Sequence, residues 1–242
     1  MPIPKIIHYC WFGGAEKPAI VKKCVESWSK YMPDYEIVEW NESNYDVHKI
    51  PFVDEAYQAK KWAFVSDYAR FDVINQYGGI YFDTDVELIK PIPEEIMSKS
   101  AFTGMESAGK VNPGLIFASV PETVFLKDIL NSYNHSHFKI GEKVNYKTVN
   151  MFTTEILEEH GYCYENHYQE IYGLAIYPSE YFCGYDQDVH EVDIREDTIS
   201  VHHYAGTWTE TSLKCVCQKI CKRLLGVEPY RKLLMLKRKL KR

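Results

Sequence analysis

Two short apolar segments joined by an amphipathic stretch open the sequence, and this order constrains the fold more than any other feature. The first segment, residues 4–12, is ended by Gly13 and Gly14, as expected of a buried strand that runs into a loop. Apolar residues then recur at helical spacing after Pro18, and a second strand is predicted over residues 35–40. Strand, helix, strand is the unit of a parallel sheet, in which ligands bind beyond the carboxyl ends of the strands.

A second helix and strand lead to the segment that carries most chemical information. Helical spacing predicts a helix over residues 61–77, which a glycine pair ends, and a short strand follows over residues 80–82. Asp83-Thr84-Asp85 comes next, before another strand-like run. We expect the chain to bend at the end of the buried strand, so that both carboxylates reach one ligand. Their hard oxygen atoms suit Mg²⁺ or Mn²⁺ that bridges substrate phosphates, although a solvated turn has the same pattern.

The rest of the first 212 residues continues the alternation of strands and helices. Strands separated by a glycine turn are predicted within residues 101–120, and helices over residues 122–133 and 146–160. Residues 162–204 are rich in tyrosine and read as irregular. The stretches Asn112-Pro113-Gly114 and Asp186-Gln187 lie where they could touch a sugar or an acceptor.

Charge divides the chain at about residue 212. The formal charge of −6 combines a body, residues 1–212, near −16 with a tail, residues 213–242, that has eleven Lys and Arg and one acid. In the tail, apolar residues alternate with basic ones as in amphipathic helices that bind anionic membranes. The tail therefore predicts peripheral membrane contact. A solvated helix packed on the body remains open, and the acidic body argues against a nucleic-acid partner.

The lack of a secretory signal pattern and the spacing of the cysteines suggest a cytoplasmic protein. The start lacks the layout of a secretory signal, and no apolar run reaches the length of about 18 residues that a bilayer span needs. We therefore expect a location in the cytoplasm, at the inner face of the cell membrane. The seven cysteines are an odd set without paired spacing, so a disulfide framework is not expected. Cys215, Cys217 and Cys221 could bind metal, carry a lipid or be small residues on the side of a helix that faces the protein core.

Ser66, Asp67 and Arg70 lie on one side of the predicted helix, since residues three and four apart are neighbours there. Taken alone, they fit a surface ion pair. Together with residues 77–85, however, the run over residues 66–71 resembles the donor-site signature of glycosyltransferases with the Asp-x-Asp (DXD) sugar-binding region. This group includes the Och1-like mannosyltransferases, the bacterial capsular-polysaccharide transferases of family 32 and the glucosylating domains of large clostridial toxins.

Two further blocks resemble the same families in the same order. Residues 3–14 are similar to their first strand and loop, and residues 201–208 are similar to their closing His/Ser-Trp element, with Thr207 where serine is frequent. The resemblance implies a GT-A fold, a Rossmann-like α/β nucleotide-diphospho-sugar transferase fold, over residues 1–212, followed by the basic helical tail.

The resemblance also assigns roles to residues of this chain. It implies that the nucleotide sugar contacts His8, Trp11, Ser66, Asp67, Arg70, Tyr81, Asp83, Thr84 and Trp208. Trp11 would stack on the base and Trp208 would sit against the diphosphate. The implied catalytic residues are Asp83, Asp85 and Arg70. The implied metal ligands are Asp83, Asp85 and His203, with His202 as the less favoured choice, and an imidazole ligand favours Mn²⁺ over Mg²⁺.

The function implied is transfer of a hexose from a nucleotide-diphosphate sugar, with UDP-sugars favoured, to a glycan or lipid-linked oligosaccharide in bacterial surface polysaccharide synthesis. Families of this type usually retain the anomeric configuration. Three alternatives stay open: a toxin-like transferase that modifies protein side chains, a metal-dependent phosphoesterase, and a non-catalytic nucleotide-sugar binding module. A phosphoesterase with two metals would normally need a denser set of ligands than this sequence offers.

Overall fold

The computed structural model describes residues 1–141, 143–186, 189, 191–206, 226 and 229 of the 242-residue chain. Its helices are α1 (Ala19–Tyr31), α2 (Pro51–Gln58), α3 (Trp62–Tyr77), α4 (Glu94–Met97), α5 (Val124–Asn134), α6 (Val149–Glu159) and α7 (Ser179–Phe182). Its strands are β1 (Ile6–Cys10), β2 (Glu36–Trp40), β3 (Gly79–Tyr81), β4 (Val86–Leu88), β5 (Ala101–Ser107), β6 (Lys110–Val111), β7 (Phe117–Ser119), β8 (Lys139–Ile140), β9 (Lys143–Val144), β10 (Gln169–Ile171), β11 (Leu174–Tyr177), β12 (Tyr185–Asp186), β13 (Glu191–Val192) and β14 (Ser200–His202).

One mixed sheet organises these elements. Its strand order is β10-β11-β5-β7-β3-β1-β2, and β6 pairs with β5. β1 runs parallel to both β2 and β3, and β5 runs parallel to β11. β7 is antiparallel to both β3 and β5, so β3 and β5 point the same way. The carboxyl ends of β1, β2, β3, β5 and β11 therefore lie along one edge of the sheet, which we call the site edge.

Apolar layers cover both faces of this sheet. Phe52, Phe71 and Phe125, from α2, α3 and α5, belong to one buried cluster. Trp28 of α1 and Phe182 of α7 belong to the cluster on the other side. The rigid aromatic packing holds the loops of the site edge on a stiff support, since core side chains are close-packed.

A separate two-stranded ladder brings the late part of the described chain next to the DXD segment. β14 pairs antiparallel with β4, and His202 lies opposite Val86. Trp28 of α1 donates a hydrogen bond from its indole to the carbonyl of Val86 at 2.8 Å, which ties this ladder to the helix layer. Residues distant in sequence are thereby held at one end of the sheet.

The sequence-based expectations are confirmed for the first half of the fold. The helix expected at residues 61–77 is α3, and the strands expected near residues 4–12 and 35–40 are β1 and β2. The expectation that residues 162–204 are irregular was wrong, because β10 and β11 extend the main sheet there. Strands of three and four residues are too short to show a clear period in the sequence.

The predicted tail, residues 213–242, lies outside the described residues apart from positions 226 and 229, and so do Cys215, Cys217 and Cys221. The predicted division of the chain at residue 212 stays a prediction. Within the part of the chain that the structure describes, every helix is too short or too polar to cross a bilayer.

Candidate functional site

The DXD segment forms a tight turn at the site edge. Asp83 follows β3, and its carbonyl accepts a hydrogen bond from Val86 N at 3.1 Å, which closes the turn into β4. Asp83 N donates to the carbonyl of Gly114 at 3.0 Å. A Cβ atom at Gly114 would overlap Asp83 Oδ2, so this position requires glycine. The bend expected from the sequence is present, and a glycine loop supports it.

Arg70 connects the two acidic residues Asp67 and Asp83. Arg70 Nη2 donates to Asp67 Oδ1 at 2.7 Å, and Arg70 Nη1 lies 3.2 Å from Asp83 Oδ1. The hydroxyl of Tyr81 donates to the same Asp83 oxygen at 3.2 Å, and the guanidinium lies 4.7 Å from the Tyr81 ring centroid. Asp67 Oδ2 accepts a hydrogen bond from Val149 N at 3.2 Å, in the first turn of α6. Four predicted site residues therefore form one network.

This network has unsatisfied capacity for an anionic ligand. The Arg70 side chain is 3% exposed, and its Nη1 atom has no hydrogen-bond partner that meets normal geometry. A buried guanidinium donor without a partner is costly unless a ligand completes it. Phosphate oxygens match the planar fork of arginine well.

Burial changes the pKa values of the aspartates in this network. Burial raises the pKa of Asp67 to about 6, because Arg70 offsets only part of the desolvation and Asp83 adds repulsion. Burial also raises the pKa of Asp83, and the nearby Asp85 carboxylate adds to the effect. Asp67 and Asp83 thus share one arginine, and the carboxylate of Asp85 lies close enough to repel that of Asp83. The excess negative charge favours a divalent cation at this position.

Asp85 pairs with His202 across the β4–β14 ladder. Asp85 Oδ1 lies 3.0 Å from His202 Nε2, and Asp85 Oδ2 accepts a hydrogen bond from Ala205 N at 2.9 Å. Burial opposes ionisation of Asp85, but the hydrogen bond and charge of His202 hold its pKa below the ordinary value. The same interactions with Asp85 raise the pKa of His202 against the effect of burial.

These groups fit a divalent cation. Ligand atoms 3.0 Å apart, as in the Asp85–His202 pair, have the separation of adjacent ligands on an octahedral ion with bonds of about 2.1 Å. His202 Nδ1 is buried without a hydrogen-bond partner. Among the described residues, the group of three potential ligand atoms within 4.8 Å of one another is formed by Cys163, Glu165 and His167, outside the DXD turn. A cation at the DXD turn would therefore need further ligands from the substrate.

His203, the favoured metal ligand in the sequence-based assignment, faces away from Asp85. Its Nε2 lies 2.8 Å from Glu87 Oε2, and Lys23 Nζ approaches the same oxygen at 2.7 Å. Strand alternation explains this position. The backbone of His203 pairs with that of Asp85, and the side chain of His203 lies on the same face of the ladder as that of Glu87. Asp85 itself lies in the turn, where its side chain reaches His202. The geometry thus favours His202 over His203.

We expect His202→Gln to weaken Mn²⁺ binding by about tenfold or more, since a metal ligand is lost, whereas His203→Gln leaves it nearly unchanged. Titration of Mn²⁺ by electron paramagnetic resonance, with nucleotide present, measures both affinities. His203→Gln is a matched control because it removes an imidazole one residue away. Equal losses in both variants would contradict the assignment of His202.

The other predicted contact residues differ in placement. Trp11 follows β1 at the site edge, is partly exposed and donates from Nε1 to the carbonyl of Ala15 at 2.7 Å. Ser66 donates to the carbonyl of Trp62 at 3.1 Å, and Thr84 lies partly exposed in the DXD turn. Trp208 lies outside the described residues. The roles assigned to these residues stay predictions.

His8, assigned to the nucleotide sugar, lies in the core. Its Nδ1 accepts a hydrogen bond from Trp40 Nε1 at 3.0 Å, and its Nε2 donates to the carbonyl of Gly78 at 2.8 Å. Both ring nitrogens are therefore occupied within the protein, and the side chain is 1% exposed. His8 lies within β1 of the sheet, where its ring contacts the protein itself, so this geometry does not favour the assigned contact with the nucleotide sugar.

Acid should destabilise the protein through His8. Burial lowers the pKa of His8 to about 4, and a proton on Nδ1 would face the Trp40 N–H. Between the unfolded value of 6.5 and this value, the unfolded state binds more protons, so stability falls as pH falls. The free energy of unfolding falls by about 3 kcal/mol in total, and about 2 kcal/mol of this decrease has occurred at about pH 5. Urea unfolding of wild type and His8→Gln near pH 7.5 and 5 measures this difference. Identical pH slopes in the two proteins would rule out the effect.

Sequence reasoning missed two residues of the site edge, Glu106 and Tyr204. Glu106 is the last residue but one of β5, and its Oε2 accepts hydrogen bonds from Asn112 Nδ2 at 2.9 Å and from the Tyr204 hydroxyl at 3.4 Å. Asn112 Oδ1 in turn accepts from Gly114 N at 2.8 Å. The Asn-Pro-Gly stretch had been marked as a possible sugar contact, but no motif marked Glu106, because a lone glutamate carries no sequence signal.

Comparison with known proteins finds a match to one family model over part of the chain and similarity to two curated proteins. Residues 18–103 match the family model described as "Glycosyltransferase sugar-binding region containing DXD motif". Inositol phosphoceramide mannosyltransferase 1 of Schizosaccharomyces pombe is 28% identical over 152 residues, which is 56% of this chain and 45% of that protein. Human alpha-1,4-N-acetylglucosaminyltransferase is 36% identical over 75 residues, 31% of this chain and 20% of that protein. The chain thus spans less than half the length of these curated relatives.

Solved structures support the fold. A glycosyltransferase involved in the glycosylation of the major capsid of PBCV-1 matches with a TM-score of 0.50 and 14% identity, over 90% of this chain and 100% of that chain. PaToxG glycosyltransferase matches with a TM-score of 0.49 and 20% identity, over 65% of this chain and 70% of that chain. The first match and the mixed α/β sheet confirm the predicted GT-A fold.

Proposed function

We propose, on the premise that residues 18–103 are a glycosyltransferase sugar-binding region with a DXD motif, that this chain transfers a hexose from a nucleotide-diphosphate sugar to a glycan or lipid-linked oligosaccharide. The observation that carries the proposal is the site edge itself. Asp85 and His202 meet there beside the network of Asp67, Arg70 and Asp83. One half of this arrangement suits a cation and the other suits phosphate or sugar oxygens.

The chain's residues divide the work of donor binding. Asp85 and His202 would hold Mn²⁺ or Mg²⁺, which when bound neutralises charge on a departing diphosphate. Arg70 Nη1 would donate to a phosphate or sugar oxygen, while Asp67 fixes the guanidinium in place. Asp83 would accept hydrogen bonds from sugar hydroxyls, because its side chain is 30% exposed at the turn. Trp11 would offer its indole to the base.

Transfer would retain the anomeric configuration by attack on the front face. The bond between the sugar C1 and the phosphate oxygen breaks, and the acceptor oxygen bonds to C1 on the same side. The acceptor proton passes to the departing phosphate oxygen. The buried network around Arg70 excludes water and positions the donor for this step.

Three finer parts of the proposal depend on sequence and relatives. A UDP-sugar is the favoured donor, with GDP-mannose included because one relative is named a mannosyltransferase. Synthesis of bacterial surface polysaccharide is the proposed setting. The basic tail, residues 213–242, would hold the protein at the cytoplasmic face of the cell membrane, where lipid-linked acceptors are found.

The test is a panel of UDP-Gal, UDP-Glc, UDP-GlcNAc and GDP-Man, each with and without Mn²⁺, followed by thermal shift and by slow donor hydrolysis. If one donor stabilises the protein and is hydrolysed only when metal is present, the result would establish the donor site and identify the sugar. If no donor in the panel binds with metal present, the proposed function is wrong.

A further inference from the structure

A polar cleft lies next to the DXD site and is not used by the donor contacts described above. It encloses about 390 Å³ between the end of β5, the start of α7 and the β12–β13 hairpin. This volume lies within the range of small-ligand pockets. Glu106 forms its border with the donor site, because Asn112 and Tyr204 connect Glu106 to the Asp83 turn and to His202.

The connections are short and specific. Asn112 bridges Glu106 Oε2 and Gly114 N, and the Gly114 carbonyl holds Asp83 N. The ring of Tyr204 lies edge-on to His202, with centroids 4.0 Å apart. Glu106 is therefore connected to His202 through Tyr204 and to Asp83 through Asn112 and Gly114. A group bound in the cleft beside Glu106 would lie near a sugar bound at the DXD turn.

The charge of the cleft restricts its occupant. Its described lining has four carboxylates, Glu106, Glu180, Asp186 and Asp193, and two basic residues, Lys110 and Arg195. Arg195 is already paired with Asp193 at 3.0 Å. An anionic occupant would meet like charges, which strongly disfavour binding. Ionised carboxylates only accept hydrogen bonds, so they suit a partner rich in hydroxyl groups.

Glu106 has one oxygen available for such a partner. Both hydrogen bonds that it receives from described residues end on Oε2, which leaves Oε1 to accept from a ligand. Tyr185 lines the same cleft, where its ring lies 5.1 Å from that of Tyr204. The cleft thus combines carboxylate acceptors with an aromatic surface.

We propose that this cleft binds the acceptor as a neutral, hydroxyl-rich sugar, and that Glu106 Oε1 accepts a hydrogen bond from an acceptor hydroxyl and orients it toward the donor. The proposal rests on the proposed transfer function and adds the chemical class of the acceptor. Sugars that carry a carboxylate or phosphate at the bound residue are excluded by the charge of the lining.

The test measures binding of methyl glycosides of glucose, galactose and mannose, and of methyl glucuronide, to the full chain by saturation-transfer NMR. We expect at least one neutral glycoside to bind about tenfold more tightly than the glucuronide. Glu106→Gln should weaken binding of that glycoside, or raise its KM in transfer, by about tenfold through loss of a hydrogen bond to a charged group. The Kd of the donor nucleotide with Mn²⁺ should change by less than about twofold, since it contacts other residues.

Glu26→Gln on the exposed side of α1 is the matched control and should change neither affinity. Unchanged glycoside binding in Glu106→Gln, or tighter binding of the glucuronide by wild type, would overturn the proposal. Glycoside binding is measured without donor as well as with it. A wild-type chain that binds glycosides but no nucleotide sugar would therefore refute the proposed transfer function and leave the cleft assignment standing.

Discussion

Replacing Asp85 by Asn should lower metal-dependent donor turnover by roughly a thousandfold, since metal ions contribute several kcal/mol to charge stabilisation in such reactions. Asn keeps the size of the side chain but removes the charge that pairs with His202 at 3.0 Å and that would bind the proposed cation. The loss should appear in kcat/KM for donor hydrolysis at saturating Mn²⁺, together with a large drop in Mn²⁺ affinity.

Glu87→Gln is the matched control for Asp85→Asn. Glu87 lies two residues further along the chain, in the middle of β4, and its side chain is 18% exposed, close to the 16% of Asp85. It pairs with His203 and Lys23 away from the site. This variant should lose some stability and keep turnover. Full activity in Asp85→Asn, or equal losses in both variants, would show that the DXD turn does not hold the cation.

Replacing Arg70 by Met should destabilise the protein by about 3–5 kcal/mol and abolish donor binding, because the change leaves buried carboxylates uncompensated. Asp67 and Asp83 both contact the guanidinium, at 2.7 and 3.2 Å. Without it, their pKa values rise further above the unfolded values. The deficit should therefore be largest at neutral pH and shrink as pH falls and the carboxylates become protonated. Urea unfolding at several pH values measures it.

A second substitution separates the two effects of Arg70. Asp67→Asn combined with Arg70→Met removes one of the stranded charges, so it should recover part of the lost stability, as expected for coupled neighbours. Donor binding should stay absent in the double variant, because no guanidinium faces the phosphate. A double variant that binds donor like wild type would assign Arg70 a purely structural role.

The sequence predicted the contact between Asp67 and Arg70 but not which histidine contacts Asp85. Asp67 and Arg70 share a helix, so their spacing alone places them together, and α3 does so. The choice between His202 and His203 depends on how β14 is aligned with β4, and on the turn that moves Asp85 out of the strand pattern. Local spacing contains neither, so the preference for His203, which came from the family resemblance, could not take them into account.

Two further gaps have the same origin. β10 and β11 were missed because each is short and is stabilised by its neighbours in the sheet, a contribution that local propensity does not contain. His8 was assigned to the ligand by resemblance, although its position between Trp40 and Gly78 depends on two distant segments. In both cases, contacts between segments that are far apart in the sequence determine the structure.

The β4–β14 ladder also sets when the proposed cation site can first form during synthesis. Asp85 and Ala205 are hydrogen-bonded although 120 positions separate them. Chains emerge from the ribosome N-terminus first, and early segments begin to fold before late ones exist. A nascent chain that has exposed the DXD turn but not yet β14 lacks His202 and cannot complete the proposed site. If the chain transfers a sugar as proposed, translation delays that reaction until nearly all of the described chain has been made, and we expect a product truncated before residue 202 to be inactive even if its sheet forms.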